Sequence, residues 1–234
     1  MDKTIKSALN YTLKLLTIIF SLVGVTISLI QYKSDGYSHW SKRLLYFTAQ
    51  SNLWLTVAFF PFLFTRYIKR IKSTTLNALY FVKYVFTVCI TVTLIVFTFI
   101  LIPFADQSHH IWSISSILTH ILAPICAILD FILDGRRVEF SNGQTFWVIF
   151  PPVIYTLTAL LLSAIKFDFG RGDSFPYPFM DVFAPSGMFG FSNKIPMLGT
   201  FYWVIILALI TLGVGFLYRK INQKKTARLY AERK

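Results

Sequence analysis

The sequence predicts an all-α polytopic membrane protein, a bundle of six transmembrane helices with a long outer loop between helices five and six. Three observations carry this reading. Hydrophobic residues make up 55% of the 234 and charged residues 14%, whereas a soluble domain needs about a quarter charged side chains to cover its surface. The charges gather at the ends of long apolar runs. Each run is roughly 20 residues or slightly longer, enough at ~1.5 Å per residue to cross a ~30 Å hydrocarbon core. In lipid every backbone polar group must be satisfied internally, which leaves helices as the only form at this length.

The runs fall at residues 9–32, 44–65, 80–102, 111–133, 144–165 and 198–218. Lys3 and Lys6 precede the first, as in a signal peptide. That run exceeds a typical apolar signal region and no small-x-small cleavage site closes it, so it reads as a retained helix. Pro61, Pro124 and the Pro151-Pro152 pair lie inside runs and predict kinks or tight packing. Residues 1–218 form one domain, and residues 219–234 a basic tail. The connection 166–197 is rich in Gly, Pro and aromatics. A loop of that length is usually functional or disordered, and its aromatic content argues for a folded cap.

The net charge of +13 would suggest nucleic acid in a soluble protein. No nucleic-acid-binding motif accompanies it, and Lys and Arg sit beside apolar runs as orientation signals do. Lys3, Lys6 and Lys14, the Arg66–Lys72 loop, Arg136, Arg137 and the tail outnumber the basic residues of the alternate loops, Lys33, Lys42, Arg43, Lys166, Arg171 and Lys194. This places both termini in the cytoplasm of an integral, most simply plasma-membrane, protein. The bilayer is the first partner, with anionic lipid at the tail. Tyr37, Trp40, Tyr46, Trp112 and Tyr177 read as an outer aromatic belt. Cys89 and Cys126 lie in apolar runs and read as small buried hydrophobes. The Asn10-Tyr11-Thr12 sequon falls on the inner side, where it has no meaning.

His120 sits inside the fourth run, and an ionisable side chain there is a functional-site candidate by default. Ser113, Ser116 and His120 recur at helical spacing on one face. Counted from the outer end, His120 lies roughly 13 Å deep, Thr48 about 6 Å and Asn52 about 12 Å. Antiparallel spans therefore bring Thr48, Asn52 and His120 into the same outer half, with Ser51 beside them. A histidine can take the proton of a threonine hydroxyl, which then attacks an ester carbonyl, with Asn52 or a backbone N–H facing the developing oxyanion. Such a site suits a lipid-like ester entering from the bilayer. The structural reading stands beside it: Thr and Ser bond their own helix, and Asn52 with His120 ties two helices together.

Two other constellations compete. His39, His109, His110 and His120 share the outer side with Asp106, Asp173 and Asp181, a set that suits zinc. It lacks helical ligand spacing, so no metal and no cofactor is expected. Asp130, near the inner end of the fourth run and ahead of Asp134, Arg136 and Arg137, reads as an interfacial charge paired locally, with a proton relay as the alternative.

Three segments together resemble the androgen-induced-gene-one-like family of multi-span membrane proteins, bacterial branch. They are Tyr46-Phe47-Thr48-Ala49-Gln50-Ser51-Asn52-Leu53, Leu118-Thr119-His120-Ile121-Leu122-Ala123-Pro124 continuing to Asp130, and Tyr177-Pro178-Phe179-Met180-Asp181. Animal members look like threonine hydrolases that cleave fatty-acid esters of hydroxy fatty acids. The resemblance implies Thr48 as nucleophile and His120 as its base. It departs after the histidine, where animal members are threonine-rich and this chain has Ile121-Leu122-Ala123. The Tyr177–Asp181 segment then reads as packing over the site, with Asp181 orienting His120, pairing with an arginine or capping a turn. The supporting set is Ser51, Asn52, Ser116, Tyr177 and Asp181. The alternative function is non-enzymatic: a small transporter, lipid binder or scaffold whose buried polar groups are structural.

Overall fold

The computed structural model describes residues 3–65, 72–103, 111–134, 138, 140–193 and 197–231. Apolar runs fold into α1 (Lys3–Ile30), α2 (Phe47–Phe64), which holds Pro61 within its length, and α3 (Ser73–Val96), the last continuing as a π turn over Phe97–Leu101. The fourth run is composite: α4 (Ile114–Ile117), a second π turn (Leu118–Leu122) and α5 (Ala123–Leu133). The fifth starts with α6 (Asn142–Thr145) and a 3-10 turn before α7 (Phe150–Ala164); the last is α8 (Thr200–Ala231). Polar side chains set the starts of α4 and α6. The Ser113 hydroxyl accepts the Ser116 N–H at 3.2 Å, and Ser141 with Gln144 forms a capping box, both answering amides that a helix start leaves unpaired.

Among the described residues, five helical segments are long and apolar enough to cross a membrane: Thr4–Ile30, Ser73–Leu101, Ile114–Leu133, Asn142–Ala164 and Thr200–Lys224. The remaining predicted span, 44–65, is the 18-residue α2. Its first two turns carry Thr48, Gln50, Ser51 and Asn52, which lower its hydropathy, and Leu55 and Phe59 are fully buried. The last helix continues through 219–231, residues predicted as a tail; an uninterrupted polar run without Gly or Pro gives it no reason to stop at the apolar boundary. The basic loop residues Arg66, Lys69, Arg70, Arg136, Arg137 and Lys194, and Arg233 and Lys234 of the tail, lie outside the described residues.

Helix α1 packs on α2 and α5, α2 on α3, and α3 on α5 and α8. Tyr80, Tyr84, Val88 and Phe131 form one core, and Ile18, Leu55, Phe59 and Ile90 another. At Gly24 the helices approach so closely that an added Cβ would lie 2.6 Å from the Thr119 methyl and 2.9 Å from Leu118 Cβ. Small residues permit such contact between membrane helices.

One ionic cluster differs from the sequence reading. Lys14 belongs to α1, not to a basic segment outside the membrane, and its Nζ reaches Asp130 Oδ1 at 2.7 Å. Lys83 Nζ contacts Asp130 and lies 2.9 Å from Asp134 Oδ2; Asn10 Nδ2 donates to Asp130 Oδ1 at 2.8 Å. All four charged side chains are buried. Asp130 is therefore a junction of α1, α3 and α5 rather than a locally paired interfacial charge. Two cations and two anions compensate one another where neither could stand alone.

The segment after α7 is folded. Lys166, at φ 56°, closes α7 as its Lys166 N–H donates to the Ser163 carbonyl and the Phe167 N–H to the Leu162 carbonyl, the αL helix stop. Asp168 Oδ1 accepts from the Gly170 and Gly172 amides at 2.7 and 3.1 Å. Backbone hydrogen bonds from these amides, the Gly170 one foremost, hold this carboxyl below its ordinary range. Gly170 is required twice over: its φ is +123°, and a Cβ there would lie 2.5 Å from the Tyr37 ring. A 3-10 turn at Pro178–Met180 then buries Phe179 and Met180 against Tyr155 and Phe169.

Candidate active site

Thr48 is the second residue of α2, so the helix start itself positions its hydroxyl, and the first amides of the helix have no partner within it. His120 is the middle residue of the π turn Leu118–Leu122. Such turns recur at functional sites because the extra residue re-aims a side chain. Thr48 Oγ1 and His120 Nε2 lie 3.0 Å apart. The Ser116 carbonyl lies 3.1 Å from the other ring nitrogen, Nδ1. A carbonyl only accepts, so Nδ1 carries the proton and Nε2 presents a bare lone pair to the Thr48 hydroxyl. Ser116 Oγ and Thr119 Oγ1 are also close to Nδ1, at 3.2 and 3.3 Å.

Phe97, first residue of the π turn at the end of α3, stacks on the imidazole at 4.3 Å between centroids and 19° between planes. Two π turns thus meet here, one supplying the base and the other the ring stacked on it. Tyr177 completes the group. Its hydroxyl oxygen accepts the Thr48 N–H at 3.3 Å and lies 3.4 Å from Thr48 Oγ1. With its oxygen accepting, its own proton is available to Thr48 Oγ1. One direction of donation then runs from Tyr177 to Thr48, to His120, to the Ser116 carbonyl.

The dyad lies on the wall of a cavity of about 480 Å³, a volume within the range of small-molecule sites. Thr48, Ser116, His120 and Tyr177 line it. Phe97, Ile100 and Leu101 form an apolar side, and Asp35, Arg43 and Arg171 a charged one. Arg43 pairs with Asp35 at 2.5 Å, and Arg43 and Arg171 lie over the Tyr37 ring at 4.5 and 4.8 Å.

The remaining residues of the predicted set fall elsewhere. Ser51, Asn52 and Asp181 do not line the cavity. Ser51 Oγ donates to the Thr48 carbonyl at 3.2 Å and lies 3.1 Å from Thr93 Oγ1. Asn52 Nδ2 donates to the Thr48 and Thr119 carbonyls at 2.8 and 3.1 Å, so its amide is turned away from any oxyanion at Thr48. Asp181 Oδ1 accepts the Phe183 N–H at 2.9 Å: it closes a turn, and the His120 Nδ1 partner is a carbonyl. The aromatic belt is corrected in part. Tyr37 is buried, and Tyr46 stacks edge-on between Tyr37 and Tyr177, each 5.7 Å away; Trp40 and Trp112 are exposed. Sequence reasoning missed Phe97, one of 24 phenylalanines with nothing local to single it out, and the Asp35–Arg43 pair.

No group of three or more His, Cys, Asp or Glu side chains among the described residues is arranged to hold a metal. His39 bonds Ser41, and Asp106, His109 and His110 lie outside the described residues. No family model, curated protein or solved structure matches the chain.

Proposed function

We propose that the protein is an intramembrane hydrolase of lipid-like esters, with Thr48 as nucleophile and His120 as general base. The observation that carries this reading is the 3.0 Å approach of Thr48 Oγ1 to an imidazole nitrogen left unprotonated by the Ser116 carbonyl, on a cavity wall. In the proposed reaction, Thr48 Oγ bonds the ester carbonyl carbon while its proton passes to His120 Nε2. The carbonyl oxygen takes up the displaced electron pair beside the Tyr177 hydroxyl and the amide end of α2, both favourable to negative charge. The imidazolium returns the proton to the leaving alkoxide as the C–O bond breaks. Water, deprotonated by the same nitrogen, then attacks the acyl carbon, and the imidazolium returns that proton to Thr48 Oγ as its bond to the acyl group breaks and the acid leaves.

The six-span topology with cytoplasmic termini belongs to this proposal, as does the outer-leaflet depth of the site. The resemblance to threonine hydrolases of fatty-acid esters supports the same chemistry. The alternative of a purely structural dyad predicts no turnover. A fluorophosphonate probe applied to the purified protein in detergent should attach to the Thr48 peptide, and both Thr48→Ala and His120→Ala should lose the label. Labelling that persists in Thr48→Ala, or ester turnover that survives both substitutions, rejects the proposal.

A further inference from the structure

We propose that Asn52 is a positioning residue for the Thr48–His120 dyad, acting through the backbone of the π turn; this rests on the hydrolase reading above. The argument starts at the Thr119 carbonyl. In an α-helix it accepts from the N–H four residues on, that of Ala123. Here the Ala123 N–H donates instead to the Leu118 carbonyl. In the π register the next donor belongs to residue 124, a proline with no N–H. Neither register supplies Thr119 with a main-chain donor.

Asn52 supplies it across the helix interface, at 3.1 Å, and its second amide hydrogen goes to the Thr48 carbonyl at 2.8 Å. One fully buried side chain thereby bridges the main chain of the nucleophile to that of the residue preceding the base. Both partners are acceptors, which fixes the amide's orientation and leaves Asn52 Oδ1 buried with no partner among the described residues. A buried polar atom left unmatched needs a reason, and the reason is the donor pair on the other side. Without Asn52 the bare Thr119 carbonyl recaptures the Ala123 N–H, the turn reverts to α geometry, and the imidazole rotates away from Thr48.

The test compares Asn52→Leu, Asn52→Asp and Asn52→Leu/Pro124→Ala with the wild type. A p-nitrophenyl acyl ester reports turnover, and ¹⁵N-histidine NMR in micelles, assigned with His120→Gln, reports the ring. Asn52→Leu should lower kcat by about 10²-fold, the effect of an ångström-scale misplacement, with KM little changed. It should also replace the single Nδ1–H tautomer of His120 by a mixture. The Pro124→Ala change returns a main-chain N–H to the Thr119 carbonyl and should recover part of the loss. Wild-type kcat together with a wild-type ring spectrum in Asn52→Leu overturns the proposal while leaving the hydrolase reading intact. If the wild type turns over no ester, that reading fails and the ring spectrum alone decides the role of Asn52. If Asn52→Leu does not fold, Asn52→Asp decides: its turnover should fall as pH rises and its donor proton is lost, and a wild-type pH profile overturns the proposal.

Discussion

The His120 ring stands between two residues that use it oppositely: the Ser116 carbonyl accepts a hydrogen bond from its Nδ1–H at 3.1 Å, and Thr48 Oγ1 faces its Nε2 at 3.0 Å. Thr48 and His120 are 72 positions apart, yet the ring is oriented from its own helix, one turn back. A carboxylate is therefore not needed to select the tautomer. The dyad differs from a triad in this respect, and in the proposed reaction the carbonyl and the surrounding hydroxyls would have to stabilise the imidazolium.

Thr48→Ser should retain measurable ester cleavage, since the hydroxyl and its helix position persist, whereas Thr48→Ala and His120→Ala should each lose about 10²–10⁴-fold. The double variant should be no worse than either single one, because the two act as a unit. Initial rates with a chromogenic acyl ester check this; additive losses speak against a shared step.

Tyr177→Phe removes the hydroxyl that receives the Thr48 amide but keeps the ring stacked on Phe179 at 5.2 Å. We expect kcat to fall by about 10–10³-fold with little change in melting temperature. Steady-state kinetics and thermal denaturation of the same preparation separate the two quantities. An unchanged kcat would show that the hydroxyl has no part in the chemistry.

Gly24→Ala places a methyl within 3 Å of both Thr119 and Leu118. Over-packing of this kind costs about 1–3 kcal/mol, and here it presses on the π turn. A lower melting temperature accompanied by weaker Thr48 labelling is the expected pair of results; a wild-type melting temperature would mean that α1 yields without strain.

Lys83→Met leaves Asp130 and Asp134 short of one cation in a buried site, which should cost about 3–5 kcal/mol. Combining it with Asp130→Leu should cost less than the sum of the two single changes. Urea or thermal unfolding in detergent, read as a double-mutant cycle, measures the coupling, and additivity would contradict the contacts described.

Asp168 gives a pH dependence with a defined sign. Its carboxyl is held below the ordinary value, first by the Gly170 amide, so its contribution is present above the unfolded pKa and is lost as pH falls through the folded one. The amides of the Asp168 loop, and with them those of the segment leading to Tyr177, should have lower protection factors in acid once the intrinsic pH dependence of exchange is divided out, and Asp168→Asn should remove most of that dependence. Wild-type protection factors that do not change with pH would rule this out.

Much of the site was legible because helix periodicity and depth are arithmetic. Counting residues inward from each predicted end places Thr48 and His120 near one another, and the resemblance adds Tyr177. The rest was not legible, for physical reasons. The π turns shift the helical phase by one residue, and no local pattern announces them; only the Pro124 amide deficit hints at one. Phe97 acquires its role by lying opposite His120, a relation between different helices. Asp181 reads equally as an orienting carboxylate or a turn cap until a turn is seen to claim it. Lys14 reads as part of the basic flank because a charge tally cannot distinguish a solvated lysine from one paired inside.

By itself the sequence determined the helical, membrane-type architecture, because long apolar runs leave the backbone no other way to satisfy its hydrogen bonds. It also singled out the polar residues that break those runs. Tertiary structure alone decided what those residues do: which nitrogen of His120 is bare, which carbonyls Asn52 answers, and that Lys14, Lys83, Asp130 and Asp134 form one buried group. Hydrogen-bond direction and charge compensation depend on what lies opposite a side chain, and that is set by helix packing.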